Sequence, residues 1–209
     1  MAKNLSERWK EEIRPALNKE LGLSNTLQTP RPLVGYIQIG VGKMIAQHSE
    51  AKNGIMEQAT LALNVITGRK PKIIPAKNAI AGFRVREGQP VALLVTLRKQ
   101  GLLEFIDRFL AYALPRAKEF KGLQERNFDT AGNLNLGLRE LNVFPEAVSD
   151  KIKMNFGIQV TLVGSGASRE ENVALWKHLG FPLERSFAPP ADTKVASPAK
   201  VITAKADGK

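Results

Sequence analysis

Basic side chains are concentrated in one short stretch of this 209-residue chain. Between residues 69 and 99 the sequence holds eight basic residues and a single acid, Glu87. Eight positive charges less one negative charge leave +7, which is most of the formal net charge of +11. The basic residues are Arg69, Lys70, Lys72, Lys77, Arg84, Arg86, Arg98 and Lys99. A cluster of this density can bind the phosphates of a polyanion and release their counterions.

Small side chains occupy the middle of this basic stretch. Residues 76–82 read Ala-Lys-Asn-Ala-Ile-Ala-Gly, with apolar runs before and after them. The runs predict two strands, and the small residues predict the tip of a hairpin between them. Glycine in such a tip lets the backbone approach a ligand closely. An ordinary solvated hairpin is the alternative, and the coincidence of charge, small residues and glycine favours a binding loop.

Composition limits the classes of partner and of chemistry. An isoelectric point near 10.0 indicates an anionic partner, with nucleic acid first and a membrane surface second. The chain has no cysteine, which excludes disulfides, thiolate zinc sites and thiol nucleophiles. Its two histidines, His48 and His178, are far apart in sequence, and no catalytic triad order or His-x-x-x-His spacing stands out. We therefore expect no enzymatic activity, no metal and no cofactor.

Hydrophobic periodicity predicts the elements that must position the basic stretch. Helical stripes cover residues 5–21, 49–67, 102–113 and 168–179, and alternating strands cover residues 33–39, 91–97, 134–138 and 158–162. Pro15 predicts a kink or a break in the first helix, and Pro115 predicts the end of the third. Residues 40–42, Gly-Val-Gly, permit a tight turn or a close approach of the backbone to phosphate. They do not form a dinucleotide loop, because Ile45 stands at the third glycine position.

The composition changes after residue 185. Residues 186–209 are dominated by Ala, Pro, Lys, Thr and Ser, with four Lys against two Asp. Such a segment cannot bury enough apolar area to offset the entropy that ordering would remove. We predict one folded domain over residues 1–185, followed by a flexible cationic tail over residues 186–209.

A series of short segments along the chain has a specific order and spacing. They read Thr-Pro-Arg at 29–31, Ile-Gly-Val-Gly at 39–42, Ile-Thr-Gly-Arg-Lys-Pro at 66–71, Ile-Ala-Gly-Phe-Arg-Val-Arg-Glu-Gly at 80–88, Val-Thr-Leu-Arg at 95–98, Glu-Phe-Ile-Asp-Arg at 104–108, Leu-Pro-Arg at 114–116 and Phe-Asp-Thr-Ala-Gly-Asn at 128–133. In this series, over about residues 5–185, the sequence resembles the family of the fifth large-subunit ribosomal protein in its bacterial form.

The resemblance implies a fold and a function. The fold is α+β, with a curved, antiparallel-rich mixed sheet and helices on one face. The function is structural: binding 5S rRNA, helping to attach it to the central protuberance of the large ribosomal subunit, and contacting P-site tRNA through the basic hairpin loop. Further implied partners are large-subunit rRNA, neighbouring central-protuberance proteins and a small-subunit head protein across an intersubunit bridge. The implied location is the cytoplasmic ribosome, with an organellar ribosome left open.

The resemblance also implies two groups of site residues. The 5S rRNA-binding residues are Arg31, Gln38, Gly40, Gly42, Arg69, Lys70, Thr96, Arg98 and Asn133. The tRNA-contacting loop consists of Ala76, Lys77, Asn78, Ala79, Ile80, Ala81, Gly82, Phe83 and Arg84.

This sequence departs from the family at several of these positions. The family has Asn, Gln and Thr on its RNA face, where this chain has Gln38, Arg69 and Thr96. Arg69 adds a charge and removes a hydrogen-bond acceptor. In the tip the family has more cations and a Ser, whereas Asn78 and Ala79 stand here, so we expect a weaker tRNA contact.

Two other functions stay open from the residues alone. An RNA- or anion-binding enzyme could use the same basic hairpin, and it would need a histidine or carboxylate cluster in a pocket beside it. A membrane-surface protein would need a basic amphipathic helix, which is missing from the sequence. The chain also has no run of 18 apolar residues that could span a membrane.

Overall fold

A five-stranded antiparallel sheet lies at the centre of the structure, a computed structural model that describes residues 4–48, 50–118, 120–148 and 152–184. The strands are β1 (Pro32–Gly40), β2 (Lys72–Pro75), β3 (Pro90–Arg98), β4 (Leu134–Leu138) and β5 (Ile158–Gly164). Their order across the sheet is β2-β3-β1-β5-β4, so β1 is the central strand. The predicted tail and the boundary at residue 185 lie outside the described residues.

The two faces of the sheet differ because successive side chains of a strand point to opposite sides. On the inner face, Ile37 and Ile39 of β1 are buried in register with Val95 and Leu93 of β3. These residues belong to one hydrophobic cluster that extends along the sequence from Leu5 to Phe181. The alternation that predicted the strands is therefore the alternation between core and surface.

The residues on the other side form what we call the open face. All of them except Ala92 are half-buried or exposed. The open face consists of Val34, Tyr36, Gln38 and Gly40 of β1, Lys72 and Ile74 of β2, Ala92, Leu94, Thr96 and Arg98 of β3, Asn135 and Gly137 of β4, and Gln159, Thr161 and Val163 of β5.

Helices cover the inner face. They are α1 (residues 5–20), α2 (Gly42–Gln47), α3 (Lys52–Thr67), α4 (residues 99–116) and α5 (Arg169–His178). Helices α3 and α4 pack against β3, and α4 also packs against β1. Gly35 of β1 permits this last contact, since a Cβ atom there would lie 2.6 Å from Cδ1 of Leu102. The predicted α+β fold, with helices on one face of an antiparallel-rich sheet, is confirmed, and all four strand pairs are antiparallel where a mixed sheet was expected.

Two prolines lie just after widened helical turns. Helix α1 consists of two α-helical pieces joined by the π-helical turn Trp9–Ile13, and α4 contains a similar turn at Phe109–Ala113. Pro15 and Pro115 each follow two residues after these turns. Proline lacks an N–H and its ring crowds the preceding turn, and a π turn relieves this crowding. The predicted break in the first helix is thus a π turn, and α4 ends one residue after Pro115.

The structure differs from the sequence prediction on either side of β3. Gly42 begins the short helix α2, where the sequence permitted a tight turn, while the N–H of Val41 donates to the carbonyl of Val91. The strand before the hairpin tip is only four residues long, and its register shifts where Pro75 pairs with Pro90. Neither proline can donate a ladder hydrogen bond, so the regular ladder of β2 and β3 ends there, and residues 76–89 form a long loop with a few backbone hydrogen bonds of its own.

Helix α5 is held at both ends. At its start the predicted capping box forms in part: Ser168 Oγ accepts from the N–H of Glu171, whose carboxylate accepts from the N–H of Ala167. At its end His178 hydrogen-bonds to Glu20 of α1. This hydrogen bond lowers the pKa of the Glu20 carboxyl from its ordinary value.

Candidate nucleic-acid interface

Polar side chains form cross-strand rows on the open face. In one row Tyr36 lies between Thr96 of β3 and Thr161 of β5, and the hydroxyl of Thr161 donates to Asn135 Oδ1 at 2.7 Å. In the next row Gln38 lies in register with Leu94 and Gln159. Hydroxyl and amide groups that can both donate and accept hydrogen bonds therefore cover the centre of the face.

The charged residues on this face have one sign. None of its residues is an Asp or a Glu, and it includes Lys72 and Arg98. Beside it lie four more exposed cations, which are Arg31, Arg69, Lys70 and Lys99. We call these six basic residues the cationic rim. A face without acids and with such a rim attracts the phosphates of an RNA backbone, and it carries no negative charge that would repel them.

Local structure positions several members of the cationic rim. Arg69 folds over the first turn of α4, where its Nη2 lies 3.3 Å from the position that a Cβ of Gly101 would take. Arg31 precedes β1 and is tied to Ser165 through its N–H and its carbonyl, at 2.9 and 3.0 Å. Arg98 ends β3 in register with Val34, so it lies at the same end of the sheet as Arg31.

The predicted 5S rRNA-binding residues do not all lie on the open face. The open face includes Gln38, Gly40, Thr96 and Arg98. The part of the cationic rim beside it includes Arg31, Arg69 and Lys70. Gly42 lies in α2, where a Cβ would contact Val91 at 3.4 Å. Sequence reasoning missed Tyr36, Asn135, Gln159 and Thr161. The alternation within each strand was a usable signal, since it places Tyr36 on the same side as Gln38.

Asn133 organises a loop at the β4 end of the sheet. Its Nδ2 donates to Asp129 Oδ2 at 2.8 Å, and its Oδ1 accepts from the N–H of Gly164 at 3.2 Å. Burial raises the pKa of the Asp129 carboxyl, but hydrogen bonds from the Asn133 side chain and from nearby backbone N–H groups outweigh it and leave the pKa below its ordinary value. Asn133 therefore already has intramolecular partners on both polar atoms of its amide.

Two side chains of helix α5 donate hydrogen bonds to the backbone of this loop. Asn172 Nδ2 donates to the carbonyl of Ala131 at 2.7 Å, and Trp176 Nε1 donates to the carbonyl of Gly132 at 2.9 Å. Gly132 has φ +78°, and a Cβ there would lie 2.6 Å from the carbonyl oxygen of Arg169. Both the left-handed backbone and the close packing require glycine at this position.

The hairpin tip extends from the end of the open face opposite to Arg31 and Arg98. Two backbone hydrogen bonds close its base, between Ala76 and Gln89 (2.8 Å) and between Gly88 and Ala76 (3.0 Å). Within the tip, Ile80 and Val85 pair through two further backbone bonds. Phe83 is 71% exposed, so the tip presents an apolar ring to solvent.

A groove of about 820 Å³ lies between α2 and the tip. Its apolar lining includes Phe83 and Val91, and its cations are Lys43, Lys77 and Arg84. The lining contains no histidine and no carboxylate, the groups that the enzyme alternative requires in a pocket beside the hairpin. Nor does the described part of the chain contain a cluster of three or more acids and histidines that could hold a metal ion. None of the described helices has the length and apolar composition of a membrane span.

Comparison with known proteins assigns the chain to a family. A model of the ribosomal L5P family C-terminus matches residues 90–183. The chain is 40% identical over 186 residues to the large ribosomal subunit protein uL5 of Anaeromyxobacter sp. strain Fw109-5, covering 88% of this chain and 100% of that protein. It is 41% identical over 179 residues to uL5 of Prochlorococcus marinus strain MIT 9211, covering 86% and 97%. The protein therefore belongs to the uL5 family of large-subunit ribosomal proteins.

Proposed function

We propose that this protein, a structural component of the large ribosomal subunit, binds 5S rRNA through its open face and helps attach that RNA to the central protuberance. As a member of the uL5 family it is a ribosomal protein of the cytoplasm and not an enzyme. The observation that carries the proposal is an acid-free sheet face with a rim of six exposed cations.

Two kinds of contact follow from this arrangement. The cationic rim is placed to neutralise phosphates, which positions an RNA without reading its sequence. The hydroxyl of Thr96 and the amide of Gln38 can bond to base edges or to 2′-hydroxyls. Arg69 has only donors, so it suits a phosphate better than a base edge that offers both donors and acceptors. Recognition therefore combines a rim that gives affinity with a centre that gives specificity.

The test is selection of RNA by the purified full-length protein. Incubated with total RNA from a bacterial ribosome preparation, the protein should retain 5S rRNA in excess over fragments of small-subunit rRNA of the same length. Equal retention of both RNAs would contradict specific recognition. Large-subunit rRNA, neighbouring central-protuberance proteins and the small-subunit head protein are further proposed partners, and cross-linking within assembled subunits would identify them.

Thr96→Val is expected to weaken binding of 5S rRNA by about 1 kcal/mol or more, because the substitution keeps the shape and removes a hydroxyl that bonds to RNA. Binding is measured by filter retention at constant salt. Thr60→Val on α3 is the matched control, since it makes the same chemical change away from the open face. Equal affinities of the two variants would reduce Thr96 to a residue that merely favours a strand.

We propose that the hairpin tip contacts P-site tRNA. The tip lies at the end of the sheet away from Arg98, carries Lys77 and Arg84, and exposes Phe83. Loops that carry function on a rigid scaffold commonly have this form. The hydrogen bonds at Ala76 and Gly88 provide a rigid base from which such a loop can project.

Replacing residues 77–87 with Asn-Gly tests the function of the tip, because Ala76 and Gly88 can then close a two-residue hairpin. We expect the complex with 5S rRNA to survive and assembled ribosomes to bind P-site tRNA less tightly. Lys77→Ala should reproduce part of this loss, at most about 1 kcal/mol for one screened phosphate contact. The measurement is footprinting of tRNA on reconstituted ribosomes. An unchanged tRNA footprint with impaired 5S rRNA binding would show that the tip contacts 5S rRNA instead.

A further inference from the structure

We infer that Tyr36 is a stacking platform for an unpaired nucleobase of the RNA that the open face binds. The inference rests on the proposed function, because it requires RNA on this face. It adds a binding position that the family resemblance did not supply, and it assigns a chemical class to what this position binds: the flat surface of a base outside a duplex.

Tyr36 occupies the middle of the open face. It lies in β1, the central strand, with two strands on either side. Tyr36 is 37% exposed, whereas its neighbours Gly35 and Ile37 are buried on the other side of the sheet. It is the only aromatic residue among those of the open face. Within the described part of the chain, its hydroxyl has no hydrogen-bond partner.

The residues beside Tyr36 leave room for a base. Its partners in register, Thr96 and Thr161, have short side chains, and cross-strand neighbours on one face lie only about 4.5–5.5 Å apart at Cβ. Short neighbours cannot cover an aromatic ring as a second aromatic residue or a long aliphatic chain would. Gln38, in the adjacent row, offers an amide that can bond to the edge of a base.

Charge identifies the ligand as nucleic acid. An exposed tyrosine on a strand could simply favour the β conformation, and in neutral surroundings we would accept that explanation. Here the ring lies on a face without acids and within a rim of six cations. RNA supplies both the phosphates that such a rim attracts and the bases that stack on aromatic side chains. Bases within a helix are already stacked on each other, so the ligand is a base in a loop or bulge.

Two substitutions separate stacking from other contributions of Tyr36. Tyr36→Phe keeps the ring and should bind a 5S rRNA transcript with an affinity within about twofold of the wild type. Tyr36→Leu removes the ring, and its affinity should fall by roughly tenfold or more, the range expected for loss of one stacked base. The slope of log affinity against log salt should be the same for both variants, because stacking releases no counterions. Tyr112→Leu is the matched control: it removes the other tyrosine, which is 55% exposed on α4.

Ultraviolet cross-linking of the wild-type complex provides a measurement that needs no variant. A base stacked on Tyr36 should give a cross-linked peptide that contains this residue and a single nucleotide. If wild-type protein selects 5S rRNA but Tyr36→Leu binds as tightly as Tyr112→Leu and no cross-link forms at Tyr36, the stacking inference is overturned and the proposed function stands. If the wild type shows no preference for 5S rRNA, the proposed function itself fails.

Discussion

Raising the salt concentration from 50 to 200 mM is expected to weaken 5S rRNA binding by about a thousandfold. If each of the six rim cations contacts one phosphate, the slope of log affinity against log salt is about −5, and a fourfold increase in salt then removes about three powers of ten. The cations are Arg31, Arg69, Lys70, Lys72, Arg98 and Lys99. The measurement is a series of equilibrium binding curves at several salt concentrations.

Paired substitutions show whether these cations cause the salt dependence. The double variant Lys70→Ala, Arg98→Ala should reduce the slope by about two units, since it removes two phosphate contacts. The charge-matched control Lys10→Ala, Lys19→Ala changes two exposed lysines on α1, in the helical layer, and should leave the slope unchanged. A flat salt dependence of the wild type, or equal slopes for the two double variants, would contradict the assignment of the rim.

Trp176→Ala is expected to lower the free energy of unfolding by about 3–5 kcal/mol, the usual range for deleting a large aromatic side chain from a core. Trp176 is fully buried and packs edge-on against Phe181 with ring centroids 6.0 Å apart. The substitution also leaves the carbonyl of Gly132 without its indole partner. The measurement is urea unfolding at 25 °C, followed by circular dichroism.

Trp9→Ala is the control for this substitution, because Trp9 is a half-buried tryptophan that packs at the margin of the core. It should cost about 1–2 kcal/mol, since less apolar area is lost. Trp176→Phe keeps much of the apolar surface and should cost about 1–3 kcal/mol for the lost hydrogen bond and packing. Equal destabilisation by Trp9→Ala and Trp176→Ala would show that the loop and the end of α5 contribute less to stability than their burial indicates.

The local chain determined much of the fold. Gln38 and Thr96 could be placed on one side of their strands from sequence, because alternation in a strand involves only adjacent residues. Helix periodicity located α1, α3, α4 and α5 for the same reason, since the turns of a helix are set by residues three and four apart. Local charge density identified the basic stretch, and the order of several short segments identified the family.

Only the tertiary structure decided which strands became neighbours. β1 lies between β3 and β5 because hydrophobic faces far apart in sequence pack together, and periodicity within a strand contains no information about such partners. Tyr36 therefore acquired Thr96 and Thr161 as neighbours in a way that the sequence did not show. Asn133 illustrates the same limit, because its amide oxygen accepts from the N–H of Gly164 in β5, which is far from it in sequence. The sequence determined the chemical groups that could contact RNA, and long-range packing decided which of them share a surface.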